Sequence, residues 1–182
     1  MSNHQFIAPD LSRIPPELRA LPRWVTWRAE GKPGEAPRKV PHDAKALSAR
    51  ASTTDPATWA SFAEAEGEPD AFTGVGIVLD GDGLAGVDID HCVTDGKPDP
   101  AALALLDSLG AAYVEVSPSG TGLRAFGYAD SLARGCKGKL DGLDVELYTT
   151  GRYLTLTGQT IKAGPIAPLR GFAGLAEPIR SD

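Results

Sequence analysis

Residues 74–90 read GVGIVLDGDGLAGVDID, two apolar runs around Gly81-Asp82-Gly83. Glycine and aspartate accept the positive φ of tight turns, so the stretch is expected to form a β-hairpin with strands over 74–80 and 84–90. Alternation along the second strand sends Asp88 and Asp90 to one face and Val87 and Ile89 to the other. Neighbours of this kind have α-carbons about 6.5 Å apart and, at an effective dielectric of about 20, repel by roughly 2.5 kcal/mol. Something has to offset that repulsion. Residues 143–148, LDVELY, repeat the pattern, with Val145 and Leu147 on the apolar face and Asp144 and Glu146 on the other. If the two strands are neighbours, up to four carboxylates converge, and a hard divalent cation with oxygen ligands is the natural partner. The plain alternative is a sheet face turned to water, where alternating acids are ordinary and salt screens them. Asp80 and Asp82 do not make a calcium loop, because the glycine at its sixth position and the glutamate at its twelfth are missing.

Outward from this stretch, the chain alternates short apolar runs with glycine and proline punctuation. Pro15 and Pro16 open a short helix within 14–20, and RWVTWR predicts a strand over 23–28. A loop is expected over 29–54, carrying the basic residues Arg38, Lys39, Lys45 and Arg50. Asp55-Pro56 and Asp99-Pro100 each offer an N-cap with proline at the first helical position, and Trp59, Phe62 and Ala63 fall on one face at helical spacing, which predicts helices over 56–66 and 100–109, the second stopped by Gly110. The remaining strand candidates are AYVEV (112–116), GLRAFGY (122–128), LDVELY and RYLTLTG (152–158). The expected fold is α+β, a mainly antiparallel sheet with flanking helices.

A length of 182 residues fits one domain, or one with a small appendage. Lys plus Arg number 18 against 24 Asp plus Glu, a net charge of −6, which excludes generic phosphate-backbone binding through bulk charge. Nucleic-acid contacts therefore have to be local or bridged by metal ions. Two cysteines, Cys92 and Cys136, are expected as reduced thiols in a cytoplasmic protein. No apolar stretch is long enough for a membrane span, and MSNHQFIAPD has neither the basic nor the apolar region of a secretory leader.

The turn Ser117-Pro118-Ser119-Gly120-Thr121-Gly122 is built of small residues whose amides and hydroxyls can approach a polyanion closely. It lacks the Gly-Lys-Ser/Thr ending of a Walker A loop, and taken without context it is more often a plain hairpin loop. Arg124, just beyond it on a face shared with Phe126, and Arg152, close after Glu146, are candidates for the fixed cations a triphosphate wants, although each taken alone is more often a surface arginine.

Taken in order, GVDID, then SPSGTGL, then DVELY followed by GRYLTLTG, the motifs resemble the primase-polymerase domain of phage and plasmid replication proteins, in the archaeo-eukaryotic primase superfamily. The upstream stretches RWVTWR, RKVP and ASTTDPATWASF also look like phage members, so the resemblance covers roughly 21–158. It implies an RRM-like catalytic core over 21–160, with an N-terminal extension over 1–20 and a tail or linker over 161–182. It also implies Asp88, Asp90 and Glu146 as ligands for Mg²⁺ or Mn²⁺, Ser119 and Gly122 in the nucleotide-contacting turn, and more weakly Lys39, Arg50 and Arg152 as nucleotide contacts. Arg124 stands where the family has a histidine, and arginine can hold a phosphate but cannot change protonation near neutral pH.

The function implied is metal-assisted nucleotidyl transfer from (d)NTPs on a single-stranded DNA template, with a possible helicase domain or partner. The alternatives are a non-catalytic nucleotide- or single-strand-binding replication module, and a metal-dependent phosphohydrolase, against which no residue stands out as a base for water. A zinc site from His91, Cys92 and Cys136, the last expected in a loop, falls short of the usual four ligands. The large rings of Trp24, Trp27 and Trp59 are expected mainly in the core.

Overall fold

The computed structural model describes residues 5–67 and 71–181, so residues 1–4 of the expected extension lie outside it. In chain order the elements are α1 (Pro16–Arg19), β1 (Trp24–Glu30), β2 (Arg38–His42), α2 (Phe62–Glu66), β3 (Gly74–Asp80), β4 (Leu84–Asp90), β5 (Val93–Thr94), β6 (Lys97–Pro98), α3 (Pro100–Leu109), β7 (Tyr113–Val116), β8 (Leu123–Tyr128), β9 (Cys136–Leu140), β10 (Leu143–Tyr148), β11 (Thr150–Leu156), β12 (Thr160–Ala163), β13 (Ala167–Pro168) and α4 (Ala176–Ser181). The fold is α+β and mostly antiparallel, as expected. Its strands form two main sheets, a smaller one ordered β11-β3-β1-β2 and a larger one ordered β12-β7-β8-β4-β10-β9 with β13 added parallel to β8.

Residues 74–90 depart from the predicted hairpin. β3 sits inside the smaller sheet, β4 inside the larger, and the Gly81-Asp82-Gly83 turn carries the chain from one sheet to the other. The reason is burial: both strands are buried along nearly their whole length, alternate residues included, so each needs neighbours on both edges and cover on both faces. Asp82 pairs with the buried Arg23 at 2.9 Å, and the Gly81 amide donates to the Thr149 carbonyl rather than across a hairpin.

The larger sheet has two buried faces. On one, Val87, Ile89, Ala125, Val145 and Leu147 pack against Ala102, Leu106 and Leu109 of α3 and Ile179 of α4. On the other, Leu84, Tyr113, Phe126 and Tyr148 meet Trp24, Ile77 and Leu154 of the smaller sheet. The sheets approach closely at Gly86, where a Cβ would fall 2.2 Å from Leu154 Cδ1. Both flanking stretches enter this core: Ile14 and Leu18 from the N-terminal side, and Leu169, Phe172 and Ile179 beyond residue 160.

The helix predicted over 100–109 forms with those bounds, capped by Asp99, which accepts from Ala101 N, and closed by Gly110 at φ +76°. The helix predicted over 56–66 is broken. A 3₁₀ turn over Pro56–Thr58 ends at Trp59, and Ala60 exchanges backbone hydrogen bonds with Trp24. α2 then starts afresh under a capping box between Ser61 and Glu64, a second start signal that the Trp59, Phe62, Ala63 spacing obscured. Two further corrections concern loops. β2 occupies part of the expected loop over 29–54, paired to β1, and Cys136 opens β9 rather than lying in a loop. Trp24, Trp27 and Trp59 are buried, as expected. Among the described residues no helix is long and apolar enough to cross a membrane.

Candidate active site

The acid-bearing strands are neighbours. β10 pairs antiparallel with β4 in a register that sets Glu146 opposite Asp88 and Asp144 opposite Asp90. β8 pairs with the other edge of β4, setting Arg124 opposite Asp88, and β7 sets Glu115 opposite Arg124. Cross-strand partners share a face, so these side chains form a polar row on the side of the larger sheet that faces the smaller one. Toward one end that face is apolar and roofed. Toward the other it opens into a cavity of about 560 Å³ whose walls include Asp88, Asp90, Glu146 and Arg124, with Lys39 and Arg152 contributed by the smaller sheet.

Asp88 is 7% exposed and gripped by the Arg124 fork, with Nη2 donating to Oδ2 at 2.7 Å and Nε to Oδ1 at 3.3 Å. Arg124 Nη1 donates to the Thr155 carbonyl at 2.7 Å and to the Thr155 hydroxyl, tying the larger sheet to β11. Burial works against the charge on Arg124, but the charge and hydrogen bond of Asp88 outweigh it and raise its pKa further. Glu146 accepts from Lys137 Nζ at 2.5 Å and from the Tyr148 hydroxyl at 2.6 Å, with Arg152 Nη2 at 3.8 Å. Burial pushes the Glu146 carboxyl up, yet those donors win and hold it below its ordinary value. Asp90 has no such partner among the described residues. Burial raises its pKa, and the charges of Asp88 and Glu146 raise it further.

The cations on the opposite wall are poised differently. Burial lowers the Lys39 pKa, as does the charge of Arg124, against the pull of Asp88, Asp90 and Glu146. The Arg152 guanidinium lies 4.5 Å above the Tyr148 ring, a cation–π contact that fixes its direction. Of the predicted site residues the fold thus brings together Asp88, Asp90, Glu146, Arg124, Arg152 and Lys39.

Arg50 lies elsewhere, exposed and paired with Glu30 at 3.0 Å. Ser119 and Gly122 do not line the cavity. Their turn is satisfied internally: Gly120 N donates to the Ser117 carbonyl, Thr121 N to Ser119 Oγ, and Gly122 N to Ser117 Oγ. The N-terminal segment covers it, with Ile7 N donating to the Pro118 carbonyl. Gly122 has a packing role, since a Cβ there would meet the Ile89 carbonyl at 2.8 Å.

Sequence reasoning passed over Glu115, Lys137, Tyr148 and Thr155. The signal for Lys137 was present, because CKGKL alternates lysines as LDVELY alternates acids. Glu115 sits in an otherwise apolar strand, fully buried, accepting from the Tyr113 hydroxyl at 2.7 Å and from the Thr157 and Gly158 amides at 2.9 Å each. Burial pushes its carboxyl up to about 7 despite those donors.

Among the described residues, no three His, Cys, Asp or Glu side chains are arranged around one point as a metal ion requires. The donor chemistry nevertheless fits a hard divalent cation. Asp88, Asp90 and Glu146 supply carboxylate oxygens on one face, Asp90 makes no side-chain hydrogen bond or ion pair among the described residues, and a carboxylate accepting from arginine or lysine keeps spare lone pairs. The thiols do not fit zinc: Cys92 is buried, donates to the Ile89 carbonyl at 3.2 Å, and has its pKa pushed up to about 11, while Cys136 lies in the core.

No family model matches the chain. It is 33% identical over 155 residues, 79% of its length, to the DNA primase-polymerase of Nitratiruptor phage NrS-1. The alignment spans 20% of that curated relative. The match bears out the resemblance carried by the motif order and supports a primase-polymerase domain in this chain.

Proposed function

We propose that this domain catalyses metal-dependent nucleotidyl transfer from (d)NTPs on a single-stranded DNA template in phage or plasmid replication. The observation that carries this reading is the β4–β10 register, which seats Glu146 opposite Asp88, with Asp90 alongside, across one cavity from Lys39 and Arg152. A Mg²⁺ or Mn²⁺ ion held by Asp88, Asp90 and Glu146 would activate the 3′-hydroxyl and stabilise the departing pyrophosphate. The rest of the work falls to the protein's own groups. Lys39 and Arg152 present positive charge to the triphosphate oxygens from the facing sheet. Arg124 locks Asp88, and Tyr148 with Lys137 locks Glu146, so that neither carboxylate has to be ordered when substrate arrives. In the transfer, the 3′-oxygen bonds to the α-phosphorus as the bond from that phosphorus to the pyrophosphate oxygen breaks, and the hydroxyl proton leaves to solvent. A helicase domain or partner would open the template.

The test uses labelled dNTPs and NTPs on primed and unprimed single-stranded DNA with magnesium or manganese. Products that vanish in the Asp88→Ala, Asp90→Ala double variant support the proposal, and phosphate release without strand growth refutes it. One observation favours a second reading, a non-catalytic nucleotide- or single-strand-binding module: Arg124 already neutralises Asp88 through a buried two-point pair, as a metal ion otherwise would. Nucleotide binding without incorporation decides for that reading.

A further inference from the structure

The carboxylates face two hollows. Besides the cavity shared with Lys39 and Arg152, Asp90 and Glu146 also border a second one of about 290 Å³, whose other walls include Lys137 and Lys139 of β9, and His91, whose ring lies 3.2 Å from Asp144. β9 is the edge strand of the larger sheet, and its register with β10 sets Lys137 opposite Glu146 and Lys139 opposite Asp144. Between the lysines, Gly138 lies flat on α4, where a Cβ would meet the Ile179 carbonyl at 2.4 Å. Alternation along β9 then places both lysines on the acid side of the sheet. Lysines on an edge strand commonly serve to prevent strand addition. These two reach inward instead, Lys137 to Glu146 at 2.5 Å and Lys139 to Asp144 at 2.6 Å, so they line the hollow.

We infer that the hollow bordered by Lys137, Lys139 and His91 holds the phosphates of the reactant that supplies the attacking 3′-hydroxyl. This rests on the nucleotidyl-transfer reading and assigns a residue set to its other half. Transfer joins two phosphate-bearing reactants at the same carboxylates. The larger cavity, with Lys39 and Arg152, has room for a triphosphate, and the smaller one shares Asp90 and Glu146 with it as a wall. Lys139 and its partner Asp144 are 57% and 38% exposed, and exposed ion pairs contribute only about 0–1 kcal/mol, so Lys139 can trade a carboxylate for a phosphate at little cost, while Lys137 stays on the buried Glu146 and adds its charge to the wall. The phosphates belong either to a primer strand or to an initiating nucleoside triphosphate.

Lys139→Ala is the discriminating variant, because Lys139 pairs with Asp144 and makes no contact with Asp88, Asp90 or Glu146. Binding of a fluorescent primer–template is measured by anisotropy over a salt series, alongside KM for dNTP in primer extension and the rate of dinucleotide formation on unprimed template. The expected result is a roughly tenfold weaker primer–template affinity with a log–log salt slope shallower by about 0.7–0.9, a dNTP KM within twofold of wild type, and recovery in Lys139→Arg. A defect confined to the unprimed reaction also supports the site and assigns it to the initiating triphosphate. Unchanged primer–template affinity together with unchanged dinucleotide formation overturns the inference, as does a raised dNTP KM with neither defect. Wild-type protein that extends primers independently of Lys139 sinks this inference alone. Wild-type protein that binds primer–template through Lys139 but incorporates nothing sinks the transfer reading and leaves the site standing.

Discussion

Glu115 gives the sharpest quantitative test of the buried polar row. It is fully buried, opposite Arg124 in the β7–β8 register, and its carboxyl is pushed from 4.5 up to about 7. A raised pKa means that the native state holds this proton more tightly than the unfolded chain between those two values. The protonated group's contribution is therefore complete below about pH 4.5 and is lost as pH rises through about 7. At about 1.4 kcal/mol per pH unit, the interval amounts to about 3 kcal/mol. Glu115→Gln removes the titration. It also sets an amide NH₂ against one of the Tyr113, Thr157 and Gly158 donors, a constant cost of about 1–3 kcal/mol. Urea unfolding of both proteins at half-unit steps from pH 4.5 to 8 separates the two effects. The variant starts less stable, and wild type loses up to about 3 kcal/mol relative to it across the window. Stability curves that stay parallel from pH 4.5 to 8 would refute the reasoning, because Glu115 would then titrate alike in both states.

Two further predictions concern neighbouring parts of the same frame. Tyr148→Phe removes the 2.6 Å hydrogen bond to the buried Glu146, so stability should fall by about 1–3 kcal/mol and the acid limb of any incorporation profile should move to higher pH, as Glu146 is released upward. An unmoved unfolding midpoint would show that the hydroxyl contributes nothing. Gly86→Ala places a methyl against Leu154 of the facing sheet, and should cost about 1–3 kcal/mol by overpacking. In a Leu154→Ala background the cost should largely disappear, and equal costs in both backgrounds would rule out that contact as the cause.

What the sequence determined by itself was local. Alternation alone placed Asp88, Asp90, Asp144 and Glu146 apart from Val87, Ile89, Val145 and Leu147, because side chains on a strand point to opposite faces whatever the strand packs against. The caps of α3 were legible for the same reason, since Asp99, Pro100 and Gly110 act within one turn of the residues they cap. The motif order carried the family. Tertiary structure alone decided what depends on residues distant in the chain. It split the apparent 74–90 hairpin between two sheets, because strands buried on both faces cannot remain each other's only neighbours. It also brought Lys39 and Arg152 across the gap to the acids, left Arg50 with Glu30, closed the Ser119–Gly122 turn on itself, and committed Arg124 to Asp88 and Thr155. An isolated arginine or glutamate in a sequence has no assigned partner. Register and layer packing supply one, and with it the charge state and direction on which chemistry depends.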